Sequence, residues 1–178
     1  MQPKIIEKEA IKLIGTIFYG KMSGGGWSAE NPIGKTWQRW GKFREANWDL
    51  IKDKVVNPDI AYEIHVWNEK EYKETGFFSA FVGLEVKDLD DVPLELVSMV
   101  LPASTYAIYT AKGKEITTTR TDEVLPELDY PRLEIREYRW EIQAYDFQRF
   151  KGLEGTKIDV SELDFYIPIQ PTGPNTPS

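Results

Sequence analysis

Two stretches, Tyr62-Glu63-Ile64-His65-Val66-Trp67-Asn68 and Trp140-Glu141-Ile142-Gln143-Ala144-Tyr145-Asp146, decide how this chain folds. Both read aromatic, Glu, Ile, polar, small apolar, aromatic, then Asn or Asp. Successive side chains of a strand point to opposite sides of a sheet, so each stretch has two unlike faces. Tyr62, Ile64 and Val66, matched by Trp140, Ile142 and Ala144, form an apolar face expected to pack against a helix. Glu63, His65 and Trp67, matched by Glu141, Gln143 and Tyr145, repeat a carboxylate, a polar group and an aromatic ring. A solvated outer surface could look this way. The recurrence favours two strands that line one cleft.

Working outward, residues 5–19 read as a strand with a bend near Glu9-Ala10, apolar on both faces. The run from Lys21 to Trp27 is a loop with three glycines and no phosphate-loop Lys-Ser/Thr, and Trp27 is a candidate lid. A helix follows, capped by Ser28 or Asn31, with Pro32 in its first turn. Ile33, Trp37 and Trp40 form a helical stripe expected to be core. After the first repeated strand, the charged run from Asn68 to Glu74 reads as a solvated hairpin loop. Residues 76–86, 96–101 and 105–110 read as strands. Residues 114–128 read as a second helix, weakened by four threonines and ended by Pro126. The second repeated strand covers residues 133–145, and a last strand covers 162–169. Residues 171–178 read as a disordered tail.

The order is strand, helix, strand, strand, twice over. The equivalent glutamates, 63 and 141, are 78 residues apart, the spacing of a duplicated half. The expectation is an α+β domain over residues 1–170, built from two pseudo-symmetric β-α-β-β halves at about 5–87 and 94–170. Their strands form an antiparallel sheet, with helices on one side and a ligand groove between the halves.

Composition bounds the function. The chain has 178 residues, 41% of them hydrophobic, with six Trp, nine Tyr and eight Phe. That is ample for a core and leaves aromatic rings for a pocket. A net charge of −7 without a basic run makes nucleic acid and anionic membranes poor partners. The absence of cysteine excludes disulfides and thiol chemistry and fits a reducing compartment. No signal pattern and no long apolar run is present, so a cytoplasmic protein is expected. One histidine beside glutamates is too few ligands for zinc, so no metal or other cofactor is expected.

Several segments resemble the GyrI-like small-molecule-binding domain, also the effector-binding domain of AraC-type and multidrug-sensing regulators. They are Asn31 to Trp40, Phe81 to Val86, Pro102 with Tyr106 and Gly113, Tyr145-Asp146 with Arg149-Phe150, and Asp164 to Ile169. Their order spans residues 5–170, as in a stand-alone member. Two departures stand out. Relatives often carry Glu two residues before the Tyr that matches Tyr145, where this chain has Gln143. One extra residue separates Asp146 from Arg149. Glu141, one pleat repeat earlier on the same strand face, is the candidate replacement charge.

The resemblance implies binding of bulky, apolar, often cationic compounds between aromatic rings and carboxylates, for xenobiotic sensing or sequestration. The candidate ligand-binding residues are Glu63, His65, Trp67, Tyr106, Glu141, Gln143, Tyr145, Tyr166 and Trp27. Glu85 and Asp164 are placed near the groove mouth without a role. Two alternatives remain. Some relatives resemble hydrolases that open cyclopropane rings in toxic natural products, for which Glu141 and Tyr145 would be the catalytic pair. The other is a protein-interaction module of gyrase-inhibitor type.

Overall fold

A computed structural model describes residues 3–23, 28–118, 121, 132–133, 135 and 137–170. Trp27, most of the expected second helix and the tail lie outside these residues. The elements run β1 (Lys4–Lys8), β2 (Ile11–Lys21), α1 (Pro32–Ile51), β3 (Ile60–Asn68), α2 (Glu69–Thr75), β4 (Phe77–Glu85), β5 (Val97–Leu101), β6 (Ser104–Lys112), α3 (Glu115–Thr118), β7 (Tyr138–Asp146), a 3-10 turn (Gly155–Val160) and β8 (Glu162–Ile169). The α+β architecture is as the sequence implied. All the strands join one antiparallel sheet in the order β1-β6-β8-β7-β3-β4-β2-β5.

The expected first strand is two strands, and its bend at Glu9-Ala10 shapes the molecule. β1 pairs with β6 and β2 with β5, at opposite ends of the sheet. Lys8 faces Ser104 and Ile11 faces Leu101, so one ribbon register continues across the break. Two linking residues reach at most about 11 Å. The Pro102-Ala103 link imposes the same limit from the other strand. The sheet must therefore curl until its ends nearly meet.

The curl corrects one expectation. Tyr62, Ile64, Trp140, Ile142 and Ala144 do not pack on a helix. They meet Ile11, Leu13, Phe81, Leu101 and Tyr106 inside the curl. A sheet bent far enough buries its concave face on itself and needs no helix there. Gly15 pairs with Gly83, and a methyl on Gly83 would lie 2.0 Å from the Ile14 carbonyl oxygen. Glycine is required there for close backbone approach.

α1 lies on the other face, over β2 and β4. Asn31 caps it, its side-chain oxygen accepting from the Gly34 N–H at 2.7 Å, with Pro32 at the first position. Trp40, Phe43 and Ile51 pack onto Ile14, Val82 and Leu84. The buried Thr16 hydroxyl donates to the Thr36 carbonyl at 3.1 Å and pins the helix to β2. α3 packs through Ile116 on the second half of the same face. Helices thus sit on one side, as expected, but on the glutamate side.

Candidate functional site

β3 and β7 are neighbours at the centre of the sheet, and their register places Glu63 opposite Gln143 and His65 opposite Glu141. The two repeated polar faces form one continuous floor. α1 borders it on one side, and Thr117 of α3 with Thr121 on the other. The groove above has a volume of about 1090 Å³, at the upper end of small-molecule sites.

Glu63 is the centre of the floor and only 3% exposed. One carboxylate oxygen accepts from the Trp37 indole N–H and lies 3.5 Å from the Tyr145 hydroxyl. The other lies 2.8 Å from His65 Nε2. Tyr145 also donates to the Gln143 side-chain oxygen at 3.1 Å. Burial first, then the charge and hydrogen bond of Glu63, push the Tyr145 hydroxyl well above its ordinary pKa, so it stays a donor at neutral pH. Trp37 and Phe150 meet the Tyr145 ring edge-on, each with centroids 4.8 Å apart.

Glu141 is built differently. One oxygen accepts from the Thr121 hydroxyl and from Arg132 Nη2 at 3.2 Å. The other faces His65 Nδ1 at 3.8 Å. Arg132 also lies over the Trp67 ring, 4.8 Å from its centroid. His65 bridges the two glutamates, and Phe78 of β4 meets its ring edge-on at 5.6 Å. Burial pulls the His65 pKa down. The Glu63 hydrogen bond and the charges of Glu63 and Glu141 outweigh that, and the net shift is upward.

Glu63, His65, Trp67, Glu141, Gln143 and Tyr145 therefore share one groove. Tyr106 and Tyr166 do not. Their side chains point into the curl, where Tyr106 accepts from the Trp140 indole at 3.3 Å. Strand parity explains the correction, because β6 and β8 present the opposite alternation to the groove. Glu85 turns inward too and accepts from Tyr62 at 3.1 Å. Asp164 forms a fork with Arg149 rather than reaching the groove.

Sequence reasoning missed Ile33, Trp37, Phe78, Arg132 and Thr121 as lining residues. Trp37 belongs to the stripe expected to be core. Its indole nitrogen was the available signal, because a buried Trp needs an acceptor.

The sequence and the fold have known counterparts. The sequence matches the integron-associated effector binding protein family (Cass2) over residues 4–169. The chain belongs to that family. It is 27% identical over 175 residues to the transcriptional regulator BrlR of Pseudomonas aeruginosa, an alignment covering 95% of this chain and 56% of BrlR. The chain thus spans about half the length of that curated relative. The fold is similar to that of SAV2435 bound to tetraphenylphosphonium, with a TM-score of 0.64, 14% identity, and coverage of 96% and 95% of the two chains. An integron cassette protein of Vibrio cholerae matches with a TM-score of 0.52, 14% identity, and coverage of 96% and 97%. The EcmrR C-terminal domain matches with a TM-score of 0.54, 14% identity, and coverage of 95% and 97%. The GyrI-like resemblance holds, and the family's description makes this an effector-binding domain. No helix among the described residues is long and apolar enough to cross a membrane.

Proposed function

We propose that the groove binds bulky apolar molecules carrying positive charge, with Glu63 as the counter-charge, in xenobiotic sensing or sequestration. The observation that carries this reading is a 3% exposed carboxylate on the floor of a groove walled by Trp37, Trp67 and Tyr145. Aromatic faces attract a cation by about 0.5–2 kcal/mol each, depending on desolvation. A buried carboxylate offsets the cost of desolvating the ligand's charge. SAV2435, of similar fold, has been seen with tetraphenylphosphonium, an apolar cation of this class. Kinship with BrlR supports a sensing role. Cyclopropane hydrolysis at Glu141 is less well supported, because Thr121 and Arg132 already hold one of its oxygens.

Tryptophan emission titrated with tetraphenylphosphonium and cationic dyes tests the reading. Saturable quenching is expected. Glu63→Gln should weaken tetraphenylphosphonium at least tenfold, about 1.4 kcal/mol, and leave neutral triphenylphosphine oxide nearly unaffected. Equal affinity of Glu63→Gln and wild type for the cation would remove Glu63 from the role. An emission unchanged across the panel would remove the binding reading itself.

A further inference from the structure

We propose that His65 and a cationic ligand compete for the charge of Glu63, so that ligand uptake releases a proton from the groove. The inference rests on the cation-binding reading above and adds the group that regulates it. His65 is the only histidine in the chain. Its Nε2 lies 2.8 Å from Glu63 and its Nδ1 3.8 Å from Glu141. Both ring nitrogens thus face a carboxylate, an arrangement that favours imidazolium.

The two glutamates are unequal. Glu141 already has a fixed cation in Arg132, 3.2 Å away. The described partners of Glu63 besides His65 are the neutral Trp37 indole and Tyr145 hydroxyl. Its charge is therefore balanced either by the proton on His65 or by a cation arriving from the groove. The remaining charged groups of the groove come from the 3-10 turn, with Lys157 and its preceding Glu154, and from α2 and the start of β7. Of these, Glu69 is engaged by Lys73 at 3.0 Å and Arg139 at 3.4 Å. The faces that β4 and α1 turn toward His65 offer Phe78 and Trp37, which do not titrate near neutrality. The upward shift of the His65 pKa agrees with an imidazole that carries its proton beside Glu63 at mildly acidic pH.

Linkage fixes the sign. A proton and a ligand cation that repel across one carboxylate must each weaken the other's binding by the same factor. Cation affinity should rise with pH while His65 titrates, by at most about tenfold per pH unit, and level off above its pKa. A neutral ligand of the same size should show no such slope. His65 thereby sets which charge class the groove prefers at a given pH.

The test is calorimetry of tetraphenylphosphonium binding in phosphate and in Tris between pH 6 and 9, with imidazole NMR of the single histidine. Wild type should release up to one proton per cation bound, and the apparent His65 pKa should fall on saturation. Whatever its change in affinity, His65→Gln should release no proton on binding the cation and should lose the pH slope. Binding without proton release by wild type, or equal release by His65→Gln, overturns the competition while leaving cation binding intact. Absence of binding at every pH overturns both readings.

Discussion

Glu63 is held by two aromatic donors and an imidazole, and its hydrogen bonds fix where negative charge sits in the groove. The consequence for stability can be given a sign. The folded state raises the His65 pKa, so the stabilisation from its proton is fully present below the unfolded value of about 6.5. It is lost as pH rises through the higher folded value. Urea unfolding of wild type and His65→Gln across pH 5.5 to 9 should show the largest stability gap at the acid end and a narrowing gap at the alkaline end. A gap that widens with pH would contradict the assignment of His65 as a stabilised imidazolium. At this scale the sequence was partly legible. Alternation alone put Glu63, His65, Trp67, Glu141, Gln143 and Tyr145 on one face. It could not tell that Glu63 lies directly across the ladder from Gln143, because strand neighbours are set by topology.

The short helix α2 shows how local chemistry can be overlooked. Residues 69–75 carry five charged side chains and read as a solvated loop, yet they form a helix with both ends capped. The Asn68 side chain accepts from the Lys70 and Glu71 N–H groups, each at 3.0 Å, and Gly76 closes the other end with a φ of 74°. So short a helix depends on its caps, since nucleation alone is unfavourable. Asn68→Ala should cost about 1 kcal/mol in urea unfolding and loosen Tyr72 and Glu69 at the groove edge. An unchanged midpoint and unchanged amide exchange in α2 would show that the cap is dispensable. The Asn-x-x-Glu signal at Asn68 was present in the sequence, but the charge density masked it. In α1, the Asn31-Pro32 start was legible for the opposite reason, because the cap preceded an obvious apolar stripe. That stripe serves two purposes along its length, Trp40 as core and Trp37 as groove wall. Helical periodicity cannot separate those roles when core and groove share a sheet face.

The whole molecule depends on the curl of its sheet. Gly15 and Gly83 face each other across β2 and β4, and a Cβ on either would meet backbone at 2.1 or 2.0 Å. Gly83→Ala should cost about 3 kcal/mol or more, the upper end of overpacking, because neither strand can retreat without opening the inner cluster. Thermal or urea denaturation reads this directly, and a cost below about 0.5 kcal/mol would mean that the strands have slack. The duplicated plan was legible from the matched strands. Which face the helices cover was not, because a flat sheet and a curled one share the same alternation. Two links of two residues each decide between them.

Those links also entangle the halves. β1 comes from the first half and pairs with β6 of the second, while β5 comes from the second and pairs with β2 of the first. Each half lends its leading segment to the other, so neither owns a complete sheet. A half-length chain of this plan can satisfy its strand edges only by embracing a second copy. In its strand plan, the chain is laid out like a dimer carried on a single polypeptide. The two halves are not chemically equal, since His65 stands in one and Gln143 in the other at matching places on a shared floor.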